Sequence, residues 1–155
     1  MEAVSFIAAG KKVPVFTLPD QNGQMISSAS MKGKKYVLFF YPNDDSQTCT
    51  KEACNLRDHY KALVKAGYAL FGISHAPVSS KKKFADKYAL PYLLLADAGY
   101  KVSAKFGVYG EKLFMGKTIT TIHRVTFVIN EQGVIERVIY PVKSGEAAQQ
   151  ILAAG

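Results

Sequence analysis

Cysteine is scarce in this chain, with only Cys49 and Cys54 among 155 residues. Together with the three scattered histidines His59, His75 and His123, they show no metal-ligand spacing, which argues against a zinc site. Nor are they separated by two residues, the spacing a dithiol-disulfide reductase uses at a helix start. Arginine is equally rare: Arg57, Arg124 and Arg137 are the only three. The formal net charge of +8 therefore comes almost wholly from lysine. Nucleic-acid readers rely on arginine forks, so the charge, including the run Lys81-Lys82-Lys83, reads as a solvated surface and no nucleic-acid partner is expected. No apolar run approaches the ~20 residues that span a bilayer, so no membrane partner is expected. The N-terminus, Met1 to Gly10, carries Glu2 where a signal peptide carries a base. The expected location is the cytoplasm, with removal of a targeting peptide from a longer precursor left open. Repeats, low-complexity tracts and long linkers are also lacking, so residues 1–155 are read as one domain.

The chain has enough apolar residues, 48%, for an ordinary core. Val13 to Leu18 and Gln24-Met25-Ile26 flank a turn at Asp20 to Gly23 and suggest a short hairpin. Tyr36 to Tyr41 is a continuous apolar run, as in a strand buried on both faces, and Pro42 stops it. Helical spacing runs from Thr50 to Ala66, ended by Gly67. Tyr68 to Ser74 is a second buried strand. Ser79-Ser80 is expected to cap a helix reaching Tyr88, and Leu93-Leu94-Leu95 is a third strand. A helical stretch, Tyr100 to Phe106, is followed by a loop from Gly107 to Gly116. Thr118 to Asn130 and Val134 to Tyr140 pair around Glu131-Gln132-Gly133, and Ser144 is expected to cap a final helix, Gly145 to Ala153. This order predicts an α/β three-layer sandwich of thioredoxin-like type, a mixed central β-sheet flanked by helices.

Cys49 lies where the first buried strand hands over to a helix. Unpaired N–H groups of a helix's first turn favour the thiolate, the nucleophilic form of cysteine. Its neighbours Ser46, Gln47, Thr48, Thr50, Lys51 and Glu52 are all polar, unlike the surroundings of a core thiol. Arg124 sits in the apolar strand Ile122 to Ile129, and alternation puts it on one face with Thr126 and Val128. A guanidinium so placed cannot stay buried and unpaired, and it could face the thiolate and a polar substrate oxygen. Pro42 could shield the thiolate and Ser46 could hydrogen-bond at the site. On residue pattern alone they could equally stop the strand and cap the helix. His75 is read as a surface loop residue.

Pro42-x-x-x-Ser46-x-x-Cys49 resembles the P-x-x-x-T/S-x-x-C motif of peroxiredoxins. Cys49-Thr50-Lys51-Glu52-Ala53-Cys54 is similar to the bacterioferritin-comigratory-protein or PrxQ branch, whose second cysteine lies five residues on. Asn55-Leu56-Arg57-Asp58, Lys82 to Tyr88, Gly110-Glu111-Lys112, Gly116-Lys117 and Arg124-x-Thr126-Phe127-x-Ile129 extend the likeness nearly end to end. The resemblance implies an antioxidant thiol-dependent peroxidase without cofactor. In it Cys49 is the peroxidatic cysteine and Cys54 the resolving one, while Pro42, Ser46 and Arg124 shape the peroxide pocket. It implies reduction of hydrogen peroxide and organic hydroperoxides, an intramolecular Cys49–Cys54 disulfide, and thioredoxin or a similar dithiol as reductant. A monomer is implied, although Tyr41, Phe114 and Tyr109, if exposed near the site, would support a weak dimer. Two positions depart from the branch. Ser46-Gln47-Thr48 replaces a common Thr-Pro-Gly, which changes loop stiffness, and His75-Ala76 replaces a Pro-Asp pair.

The implied disulfide makes a geometric demand. Residues five apart on an ideal helix have Cα atoms ~8.7 Å apart, whereas a disulfide rarely tolerates more than ~7 Å. Forming the bond would require the first turns after Cys49 to unwind. A redox-responsive sensor or holdase using the same cysteines is the alternative function.

Overall fold

Two buried runs set the middle of the sheet. Lys35–Phe40 (β3) and Tyr68–Ser74 (β4) pair in parallel, with Val37 opposite Leu70 and Phe39 opposite Gly72. A Cβ at residue 72 would come within 2.6 Å of the Phe39 ring, so only glycine lets that ring lie across β4. Before them, Thr17–Pro19 (β1) and Met25–Ser27 (β2) form the expected hairpin. The computed structural model describes residues 5–153; Met1 to Val4, at the head of the segment considered as a targeting signal, and the last two residues lie outside them.

After β3 come the helices Gln47–Asp58 (α1) and Tyr60–Lys65 (α2), and after β4 the helix Val78–Tyr88 (α3). Leu93–Ala96 (β5), Lys101–Lys105 (α4), Tyr109–Phe114 (β6), Lys117–Ile122 (β7), Val125–Ile129 (β8), Ile135–Ile139 (β9) and Ala147–Ala153 (α5) complete the order. The central sheet runs β5-β4-β3-β8-β9, with β3, β4 and β5 parallel and β8 antiparallel to both β3 and β9. Alternation along the strands splits the interior in two. Val37, Phe39, Leu94 and Val128 face Leu56, Leu63, Phe84 and Ile151 of the helices α1, α2, α3 and α5. Leu38, Phe40, Leu95 and Phe127 face the β1–β2 hairpin and α4, through Leu18 and Val102. The expected mixed sheet between two outer layers is the one observed.

Local boundaries differ in instructive ways. The helix expected from Thr50 starts earlier, at Gln47, and breaks at His59, whose φ of −108° leaves the helix and whose ring Nδ1 lies 2.9 Å from the Asn55 carbonyl. Pro77 rather than Ser79-Ser80 stands at the start of α3, and Lys143 rather than Ser144 precedes the final helical segment. The expected loop at Gly107 to Gly116 is instead a strand: β6 pairs with β7 around Met115-Gly116, both at positive φ as a tight hairpin turn requires. The long strand expected from Thr118 is accordingly broken at His123-Arg124, because β7 leaves the central sheet to pair with β6. Both faces of β6 are largely exposed, so no apolar period marks it.

Candidate active site

The turn between β3 and α1 ends at Ser46, whose Oγ accepts the Cys49 N–H at 3.3 Å and caps the helix. Cys49 therefore lies within the first turn of α1 rather than ahead of it. Its thiol is buried, sharing the helix-side core with Phe39 and Tyr41, even though its sequence neighbours are polar. The helix resolves that conflict by aiming Cys49, Glu52, Ala53 and Leu56 inward and leaving Gln47, Thr48 and Lys51 outside.

Arg124 reaches this buried face from the head of β8. Its Nη2 donates to Cys49 Sγ at 3.3 Å and its Nη1 to Glu52 Oε1 at 2.7 Å. Cys49 and Glu52, three residues apart, sit on one face of α1, so a single guanidinium fork spans both. Above them opens a cavity of about 350 Å³ lined by Pro42, Ser46, Thr48, Phe114, Ile119 and Arg124. Cys49 itself is buried and does not line this cavity, which Arg124 connects to it; other hollows, along Lys35 and Tyr68, are larger but include neither Arg124 nor Ser46. Cys54, on the same helix, is half-buried, and both thiols are free. Among the described residues no group of three or more His, Cys, Asp or Glu side chains could hold a metal ion.

A family model described as the AhpC/TSA family matches residues 9–138. The chain belongs to that family. It is 44% identical over 146 residues to a bcp protein of Coxiella burnetii, covering 94% of this chain and 97% of that one. It is 39% identical over 146 residues to peroxiredoxin Bcp of Escherichia coli, covering 94% of each. Among solved structures, peroxidoxin BcpB of Mycobacterium tuberculosis superposes with a TM-score of 0.83 at 36% identity, over 95% of each chain. The protein is thus a peroxiredoxin of the Bcp/PrxQ group, a thiol-dependent peroxidase.

Two buried acids frame the cysteine of this peroxiredoxin. Glu52 is fully buried, and burial pushes its carboxyl up to about 7 despite the opposing pull of Arg124. Its second oxygen, Oε2, has no hydrogen-bond partner. Asp44 lies in the turn ahead of α1. Burial alone would raise it, but Lys81, Ser80 and Tyr41 outweigh burial and hold it below the ordinary carboxylate range.

Of the residues singled out from sequence, Pro42, Ser46, Cys49 and Arg124 converge on one cavity or one contact, and Cys54 lies further along α1. Several expectations need correction. Tyr41 is buried rather than exposed, with its hydroxyl donated to Asp44, and Tyr109 is half-buried and stacked 4.1 Å from Tyr100. Phe114 alone of the three is exposed beside the site. His75 is half-buried, stacked on Tyr100 at 4.8 Å, not on the surface. Lys81, expected in a solvated run, is completely buried. Glu52, bonded to the same guanidinium as Cys49, is a residue of this cluster that the sequence pattern did not single out, although its three-residue offset from Cys49 is a signal that could have found it.

Proposed function

We propose that Cys49 is the peroxidatic nucleophile and Cys54 the resolving thiol of this peroxidase; the observation that carries this is the 3.3 Å contact between the buried Cys49 Sγ and Arg124, which lines an open cavity. The Cys49 thiolate attacks the terminal oxygen of a hydroperoxide. The O–O bond breaks, Cys49 becomes a sulfenic acid, and the departing alkoxide or hydroxide takes up a proton to leave as alcohol or water. Arg124, with the Ser46 hydroxyl and the first-turn N–H groups, stabilises negative charge on the departing oxygen. Pro42 walls the cavity and limits water at the thiolate. Cys54 then displaces hydroxide from the sulfenic acid, giving water and a Cys49–Cys54 disulfide. An external dithiol, thioredoxin or similar, reduces that bond by exchange.

Both cysteines lie within α1, so the bond requires its first turns to unwind, since the helical Cα separation of ~8.7 Å exceeds the ~7 Å a disulfide tolerates. The cavity is far larger than hydrogen peroxide, and Phe114 and Ile119 offer apolar wall. That supports organic hydroperoxides as substrates beside hydrogen peroxide. A solved structure of the bacterioferritin comigratory protein of Xanthomonas campestris, 25% identical with a TM-score of 0.85, concerns alkyl peroxide reduction by that protein. We read residues 1–155 as a single domain acting as a cytoplasmic monomer, with any dimer weak and involving Phe114. Among the described residues no helix is long and apolar enough to cross a membrane.

The test is NADPH consumption with thioredoxin, its reductase and a panel of peroxides. Turnover is expected in the parent and none in Cys49→Ser. Stoichiometric oxidation without turnover would instead make the protein a sensor. Oxidation should also lower the helical signal in far-UV circular dichroism; equal spectra of the two redox forms would overturn the unwinding step.

A further inference from the structure

We propose that Lys81 is a positioning residue for the peroxide step: through Asp44 it pins the turn 42–46 to α3, and the pin holds while α1 unwinds. The persistence of the pin rests on the unwinding reading above, whereas the positioning role does not.

The turn 42–46 has no strand or helix of its own to fix it, yet it carries Pro42 and Ser46 of the cavity wall. What fixes it is a buried ion pair. The Lys81 Nζ lies 3.0 and 3.1 Å from the two Asp44 oxygens, and both side chains are nearly or fully sequestered, at 0% and 5% exposure. Tyr41 Oη donates to Asp44 Oδ1 at 2.7 Å, Ser74 Oγ to the same atom at 3.3 Å, and Ser80 Oγ to Oδ2 at 2.6 Å. Lys81 also donates to Ser74 Oγ and stands over the Tyr41 ring. One carboxylate thus binds the turn to the ends of β3 and β4 and to α3 at once. A buried pair gives little net stability over well-packed apolar side chains, but with every lone pair occupied it permits one geometry.

The adjacent Asp45, held at a φ of 59°, repeats the pattern at the surface: Lys87 Nζ and the Tyr88 hydroxyl of α3 each reach it at 2.8 Å. Side-chain contacts from the turn toward α1 are longer. Ser46 Oγ accepts the Cys49 N–H at 3.3 Å, and Thr50 Oγ1 donates to Asp45 at 3.5 Å. Among side-chain bonds the short ones therefore run to α3 and the long ones to α1; the short link to α1 is the backbone bond from the Thr50 N–H to the Ser46 carbonyl at 2.8 Å, part of the helix's own first turn and lost when that turn unwinds. When α1 gives way, separation falls on the α1 side of Ser46, and the cavity wall stays on α3.

Two measurements test this. Acetic anhydride labelling of the reduced and peroxide-oxidised protein, read by peptide mass spectrometry, should modify the exposed Lys82 and Lys83 in both forms and leave Lys81 unmodified in both. Lys81 labelling as fast as Lys82 in a protein that has formed the Cys49–Cys54 bond overturns the persistence of the pin. Failure to form that bond at all overturns the unwinding reading instead, and the persistence with it. For the positioning role, Lys81→Met is made in a Cys54→Ser background and loss of the Cys49 thiol to hydrogen peroxide is timed. The rate should fall at least ~10-fold, with partial recovery in Lys81→Met/Asp44→Asn, which removes the orphaned charge. With Cys54 present, conversion of sulfenic acid to disulfide should not slow. A pair that serves stability alone would lower the unfolding midpoint and leave the peroxide rate of the folded variant unchanged, and that result overturns the proposal. Should Lys81→Met not fold, Asp44→Asn carries the same rate measurement, and an unchanged rate there overturns the proposal equally.

Discussion

Two buried ion pairs flank Cys49, and they are built differently. Asp44–Lys81 fills both carboxylate oxygens with donors and holds its acid charged. Glu52–Arg124 fills one oxygen, leaves Oε2 without a partner, and lets burial lift its acid to about 7. Both acids lie on the chain between β3 and the middle of α1, but Asp44 faces α3 and Glu52 faces β8. The difference shows how one protein divides support from tuning. A fully satisfied pair fixes a backbone segment, and a half-satisfied pair keeps a charge adjustable beside the Cys49 sulfur. The Arg124 fork shares its two nitrogens between Glu52 and Cys49, so any change in Glu52 is felt at the thiol.

Breaking the satisfied pair should have the largest effect. Lys81→Met strands the Asp44 charge and should cost about 3–5 kcal/mol in urea unfolding; a loss below ~1 kcal/mol would mean that water already reaches the pair. Next comes the fork. Arg124→Lys keeps the charge but offers one nitrogen where two are used, and should slow the peroxide step by about 10²-fold in a single-turnover assay. A near-parental rate would show that charge alone suffices.

Glu52→Gln sharpens the comparison through pH. The Glu52 carboxyl is raised from 4.5 to about 7, so below 4.5 it is protonated in both folded and unfolded chains and carries no penalty. As pH rises between those values the unfolded chain ionises first, so the folded state loses stability, by on the order of 3 kcal/mol once pH passes the higher value. Unfolding midpoints of parent and Glu52→Gln measured across that window should diverge with rising pH, and parallel curves would refute the assignment. The peroxide rate of the parent should also carry an inflection near 7 that the variant lacks. Smallest in its effect on stability, Ser46→Ala removes the helix cap together with a hydroxyl of the cavity wall and should cost about 1 kcal/mol, with amide exchange rising in the first turn of α1 and not in α3.

The cysteine spacing, the strand before Cys49 and the arginine at the head of β8 were legible because each is a local pattern. Continuous apolar runs marked β3 and β4, and alternation set Arg124 on the face of Thr126 and Val128, the face that meets α1. The Lys81-Lys82-Lys83 run misled for a definable reason. Successive residues on a helix point about 100° apart, so one lysine of three can face inward, and the run itself does not say which. The hairpin β6–β7 was missed because its exposed faces carry no apolar period, and its pairing was set by a turn and a partner strand.

The chemistry's parts list belongs to the sequence: two thiols five residues apart, a hydroxyl and a proline before them, one arginine strand, and enough apolar length for a mixed sheet. Only the tertiary structure decided the pairings, because Asp44 and Lys81 are 37 residues apart and Glu52 and Arg124 are 72. Burial is a property of the packed chain, and the charge state of a carboxyl depends on how many donors reach it there. That count, complete at Asp44 and half-complete at Glu52, appears only when β8 and α3 close around the start of α1.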